Sequence, residues 1–123
     1  RRRIGKYLLD KLEKHSEFFQ FPIQNREDSA WFCFPIIIRE DAPFNRSDFS
    51  DYLRQMQIET RPIMSGNIEK QPAMKLFKYR NSDLKNANII HQNGLFFGIH
   101  QEIGIQQCEY IINCIDDYLR KIR

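Results

Sequence analysis

The run Trp31-Phe32-Cys33-Phe34-Pro35-Ile36-Ile37-Ile38 decides the reading of this chain. It is aromatic and β-branched and carries no charge, the composition of a strand covered on both faces. Pro35 has no N–H to give to a ladder, so it predicts an edge position or a bulge in that strand. Such a strand needs partners. Leu95-Phe96-Phe97-Gly98-Ile99 has the same buried character, and Ile58-Glu59-Thr60-Arg61 alternates apolar and polar residues before Pro62, as a short third strand.

Outward from these strands the apolar period changes from two to that of a helix. Ile4, Leu8 and Leu12, with Leu9 beside them, predict a first helix over roughly residues 2 to 15, with Lys and Arg on its other face. Phe49, Tyr52, Leu53 and Met56 lie at i, i+3, i+4 and i+7. Asn45 and, three residues later, Asp48 supply that helix with an N-terminal cap and a reciprocal acid. Leu84, Ala87 and Ile90 predict a third, shorter helix ending near Asn93-Gly94. The last helix presents Cys108, Ile111, Ile112, Ile115, Leu119 and Ile122 on one face, with Lys121 and Arg123 at the end where the helix dipole favours cations. A turn is expected at Ser65-Gly66-Asn67. Four helices and three strands in this order give an α+β domain.

Composition sets the bounds. A chain of 123 residues is one domain, and 41% hydrophobic with 28% charged residues describes a folded chain, not a disordered one. No apolar run approaches the roughly twenty residues of a bilayer crossing. The basic start Arg1-Arg2-Arg3 leads into an amphipathic pattern with no secretory core after it and no initiator Met, so the chain is expected to be a piece of a longer, cytoplasmic protein. Sixteen acids among nineteen bases, net +3, are too balanced for a dedicated nucleic-acid binder.

Catalytic constellations are few. His15, His91 and His100 have no metal-ligand spacing among themselves or with the cysteines. Cys33, Cys108 and Cys114 form no C-x-x-C pair, and Cys108 and Cys114, about 240° apart on one helix, read as small core fillers. Phosphate-cradling and nucleophile-elbow glycine motifs are absent. The acid pairs Glu27-Asp28, Glu40-Asp41 and Asp116-Asp117 read as solvated faces. The segment from Thr60 to Ala73 stands out as a long loop rich in turn formers and donors. Within it Arg61, leaving a strand at a proline, presents a rigid fork suited to phosphate or carboxylate, and Gly66-Asn67 allows a positive-φ turn with an amide beside it.

These residues in this order resemble the small C-terminal domain of the DegT/StrS family, pyridoxal-phosphate-dependent enzymes acting on nucleotide-linked sugars. The Arg-rich first helix carries Tyr7-Leu8, and the pattern S-W-F-x-F-P is Ala30-Trp31-Phe32-Cys33-Phe34-Pro35 here. Arg39-Glu40-Asp41-Ala42-Pro43-Phe44 and a capped helix follow, then I-x-T-R as Ile58-Glu59-Thr60-Arg61, then G-N-x-x-x-Q-P as Gly66-Asn67-Ile68-Glu69-Lys70-Gln71-Pro72. The last motif is more similar to the sugar 3-dehydratases than to the ordinary sugar aminotransferases. Two departures are Gly104, where a Thr or Ser cap is usual, and Ile99-His100, where an aromatic residue is common.

The resemblance implies a small antiparallel sheet packed with about four helices, as in aspartate-aminotransferase-type enzymes, with residues 1–123 forming one C-terminal domain. It implies 3-dehydration of, or aminotransfer to, a 4-keto-6-deoxy nucleotide sugar for lipopolysaccharide or other surface polysaccharide. Pyridoxal or pyridoxamine phosphate (PLP or PMP) would sit in a large N-terminal domain, which supplies the Schiff-base Lys or a replacing His. This chain alone would bind no PLP covalently and be inactive. Arg61, Asn67 and His100 become the expected substrate-binding residues, with no catalytic, cofactor or metal residue in the chain. The large domain, a homodimer partner and the nucleotide sugar are the expected partners, with neither nucleic acid nor membrane. An apolar face around Leu8 and Leu12 is expected to lie open where the large domain would cover it. The alternative is a free-standing binding module for an anionic partner.

Overall fold

The computed structural model describes residues 1–23, 29–80 and 82–122; the expected acids Glu27 and Asp28 lie outside them. The elements are α1 (Arg2–Leu12), β1 (Phe19–Gln20), β2 (Cys33–Ile38), α2 (Arg46–Gln55), β3 (Thr60–Pro62), α3 (Lys85–Asn93), β4 (Gly94–Gly98) and α4 (Ile105–Ile122), with short 3₁₀ turns after α1 and between β3 and α3. The strands form one antiparallel sheet in the order β1-β2-β4-β3. This is the expected α+β architecture, with one strand more than the sequence predicts. β1 is only two residues, too short for a period-two signal.

Register explains how the sheet is used. Phe34 pairs with Phe97 and Ile36 with Leu95, and these four side chains are at most 2% exposed. They share a core with Ile4, Leu8 and Leu12 of α1, Phe49 and Leu53 of α2, and Ile111, Ile112, Ile115 and Leu119 of α4. One face of the sheet therefore lies under helices. On the other face the alternate residues Cys33, Pro35, Ile37 and Phe96 are only half-buried, which corrects the expectation of a strand covered on both sides. Leu8 and Leu12 are fully buried within the chain, so the expected open face around them does not exist. Exposed apolar side chains lie elsewhere, at Phe32, Met64, Ile68, Leu76 and Phe77.

Pro35 sits in a central strand, yet its reading as an edge residue holds locally. β1 pairs only with Ile37 and Ile38, so opposite Pro35 β4 is the one paired neighbour among the described residues. Trp31 enters β2 at a positive φ of 49° and stacks on Phe34, which stacks on Phe97, with centroids 5.5 and 5.3 Å apart. Gly5 in α1 is where this indole lands: a Cβ there would come within 2.6 Å of the ring.

The ends of α2 follow from named groups. Asn45 Oδ1 accepts from the Asp48 N–H at 3.0 Å while its amide donates to the Asp48 carboxylate at 2.9 Å, the expected reciprocal cap. At the other end Gln57, with φ of 60°, donates to the Arg54 carbonyl and Ile58 to that of Leu53, a Schellman closure. Ile58 is thereby tied to the helix and buried, so β3 starts two residues later than the alternation suggests. Gly104 N–H donates to Gln107 Oε1 at 3.0 Å, so the first turn of α4 caps itself without a Thr or Ser hydroxyl.

The acid pair at Asp116-Asp117 is not simply solvated. Asp117 is exposed and pairs with Arg120, but Asp116 accepts from Lys14 at 2.7 Å and lies 2.5 Å from His15 Nε2, joining the end of the first helical segment to α4. Burial alone would raise Asp116, but the hydrogen bonds and charges of Lys14 and His15 outweigh it and hold the carboxyl below its ordinary value. Tyr7 donates to Glu109 across the same seam.

Candidate functional site

The open face of the sheet is built around β3. Arg61 pairs in register with Phe96, so by strand alternation it projects on the side away from the core. Its Nε and Nη2 both donate to Glu59 Oε1, at 3.0 and 2.8 Å, and the side chain remains 69% exposed. Glu59, just before β3, thus holds the guanidinium at the surface with part of its fork free to meet a ligand.

Arg61 lies between two cavities. One, of about 570 Å³, is lined also by Gln57, Glu59, His100 and Tyr110 where β3 meets the start of α4. The other, of about 660 Å³, has Phe32 and Phe96 as aromatic walls and Arg46 and His91 as further polar groups. The two differ in charge: the first contains a carboxylate, whereas among the described residues no acid lines the second. Arg46 is held in place by its own donation, from Nη1 to the carbonyls of His91 at 2.7 Å and Gly94 at 3.3 Å, where it closes the C-terminal end of α3.

The expected site residues separate accordingly. Arg61 and His100 share the first cavity. His100 is exposed and its Nδ1 accepts from the Glu102 N–H at 3.4 Å. Asn67 lines neither cavity and is 1% exposed. Its Oδ1 accepts from the Glu69 N–H at 3.0 Å and its Nδ2 donates to Asn88 Oδ1 at 2.7 Å, so its amide is engaged within the chain. The loop it belongs to turns as expected, with Ser65 at φ 62° and Gly66 at φ 45°.

Arg46, Glu59 and His91 are cavity residues that the sequence reading does not single out. Glu59 could have been paired with Arg61 from strand periodicity, two residues apart on one face. Arg46 and His91 carry no local signal, because 45 residues separate the two groups that meet. The cysteines offer no nucleophile: burial pushes the thiols of Cys33 and Cys108 up, opposite to activation, and Cys114 is buried. Among the described residues no group of three His, Cys, Asp or Glu converges on a possible metal position, and no helix is long and apolar enough to cross a membrane. Every lysine is exposed.

Comparison with known proteins agrees with this architecture. The family model for DegT/DnrJ/EryC1/StrS aminotransferases matches residues 1–116. Over 113 residues the chain is 34% identical to the GDP-4-keto-6-deoxy-D-mannose 3-dehydratase of Escherichia coli, covering 90% of this chain and 29% of that protein. It is 28% identical to the lipopolysaccharide biosynthesis protein RfbH of Salmonella typhimurium, over 91% of this chain and 26% of that protein. A solved GDP-4-keto-6-deoxymannose-3-dehydratase variant with bound GDP-perosamine superposes with a TM-score of 0.83 at 31% identity, over 92% of this chain and 29% of the other. For the fold alone, the S. venezuelae protein DesV superposes with a TM-score of 0.76 at 17% identity, over 96% of this chain and 31% of the other. The chain spans less than a third of the length of these relatives. Register, core and motif order converge with these matches: the chain belongs to the DegT/DnrJ/EryC1/StrS aminotransferase family.

Proposed function

We propose that this chain is the small domain of a PLP- or PMP-dependent enzyme that modifies a 4-keto-6-deoxy nucleotide sugar, by 3-dehydration or aminotransfer, on the way to a surface polysaccharide. The observation that carries the reading is Arg61, held by Glu59 on the open sheet face between two cavities. A guanidinium fork of this kind suits a diphosphate, and the half-buried Phe96 beside it offers an apolar surface to a ring. Kinship with the GDP-sugar 3-dehydratases supports the substrate class.

All lysines of this chain are exposed, and the chain spans less than a third of the relatives it matches. We assign the cofactor to the rest of a longer protein, with this chain closing one wall of the substrate site. The exposed apolar side chains Met64, Ile68, Leu76 and Phe77 are what a second domain would cover. Within the wall Arg61 and His100 contact the substrate, and Asn67 acts through the loop it fastens. The test is steady-state kinetics of the intact enzyme with Arg61→Ala and Arg61→Lys. The reading expects kcat/KM to fall for both, more for Ala, with folding unchanged. Unchanged kinetics in Arg61→Ala overturns it.

A further inference from the structure

The Gly66-Asn67 turn is a clamp on helix α3, and what it clamps is His91. Gly66 approaches so closely that a Cβ there would lie 2.6 Å from His91 Cα and 3.0 Å from its Nδ1. The next backbone N–H, that of Asn67, donates to His91 Nδ1 over 3.5 Å. The Asn67 amide holds Asn88, on the same helix, and Arg46 Nη1 donates to the His91 carbonyl. Turn, helix and guanidinium therefore fix one histidine through its ring, its backbone and its neighbour. An imidazole whose Nδ1 accepts a hydrogen bond carries its ring proton on Nε2, and among the described residues that N–H meets no protein acceptor. His91 lines the cavity that holds Arg46 and Arg61, where no acid lies among the described lining residues.

We propose that His91 is a ligand-binding residue of this cavity, its Nε2–H donating to a diphosphate oxygen of the nucleotide sugar beside Arg61. The inference rests on the functional reading above and deepens it. It also assigns Gly66 and Asn67 as positioning residues: the glycine permits the approach, and the backbone N–H sets the tautomer. Charge selects the ligand class: two guanidiniums and an imidazole N–H stand against the single Glu59 carboxylate that holds Arg61, a balance that favours an anion, and the aromatic walls leave room for an attached ring.

Two measurements test this. Long-range proton–nitrogen correlation spectra of the chain labelled in histidine nitrogens read the tautomer directly, and His91 is expected protonated on Nε2. An Nδ1–H tautomer overturns the proposal with or without ligand. In the intact enzyme, the Kd for GDP and for dTDP, whichever binds more tightly, is compared across Arg61→Ala, His91→Phe and His91→Gln, with folding checked by circular dichroism. His91→Phe is expected to weaken binding about tenfold, as loss of a donor to a charged group does. His91→Gln, whose amide nitrogen can stand near the position of Nε2, is expected to retain most of the affinity. Weakening in Arg61→Ala but not in His91→Phe overturns this proposal and leaves the functional reading standing. No weakening in either variant overturns both.

Discussion

The two faces of one small sheet have opposite fates, although they are made from alternate residues of the same strands. Leu95 and Phe97 of β4 are at most 2% exposed beneath three helices, while Phe96 between them faces two cavities and a held arginine. The closed face is assembled from side chains that need only be apolar and of fitting volume. The open face depends on particular groups in particular places: Glu59 on Arg61, Arg46 on the end of α3, Asn67 on Asn88. A strand's period of two thus lets a six-residue segment such as β2 support a packed core on one side and an open face on the other.

The widest contrast comes from truncating the closed face. Phe34, fully buried between Trp31 and Phe97, should cost about 3 to 5 kcal/mol of unfolding free energy as Phe34→Ala, measured by denaturant titration. A loss below about 1 kcal/mol would show that the helices do not close this face as described.

On the open face the same treatment should leave folding alone and damage binding instead. Arg61→Ala is expected to lower kcat/KM of the intact enzyme by about ten- to a hundredfold, from the loss of hydrogen bonds to a charged group. Most of that should appear in KM if the contact serves binding throughout the reaction. A drop in stability of matching size would erase the distinction between the faces.

The seam between the first helical segment and α4 sharpens the comparison through pH. Because the folded Asp116 carboxyl titrates below its ordinary value of 3.8, it stabilises the fold fully above that value. The contribution is lost as pH falls through the lower, folded value. Asp116→Asn should therefore be less stable at neutral pH, and its stability should fall less steeply than the parent's on acidification below about pH 4, seen in urea titrations at several pH values. Equal acid slopes would count against the tie to Lys14 and His15.

The smallest effect belongs to a group on neither face. Arg54, exposed and paired with Asp51 one helical turn away, should change stability by no more than about 0.5 kcal/mol as Arg54→Ala. A larger change by the same titration would mean that α2 is tied down by more than its buried Phe49 and Leu53.

What the sequence made legible follows the same division. The closed face was readable because burial repeats with the period of its element: Phe49 and Leu53 on α2, Ile111, Ile112 and Ile115 on α4, Phe34 and Ile36 on β2. Arg61 was readable too, since a strand end before a proline fixes where a side chain emerges. His91 and Arg46 were not, because their roles arise from contacts between elements far apart in the chain, which no local window contains. Leu8 and Leu12 misled for a related reason: an amphipathic stripe shows that a helix docks, not on what. Asn67 was expected to meet the substrate from its turn, but its amide turns inward, a choice set by Asn88 in another element.

Pro35 has a further consequence at the level of whole molecules. Among the described residues β1 pairs only with Ile37 and Ile38, leaving Pro35 with one paired neighbour, and at the far side of the sheet β3 ends on Pro62. At each of these two places an added strand would meet a residue with no N–H to extend the ladder. Molecules carrying exposed Phe32, Met64 and Phe77 can meet through side chains, but growth by strand addition is blocked at the backbone. Association of this chain is therefore expected to remain discrete and reversible on dilution, and not to propagate into fibres.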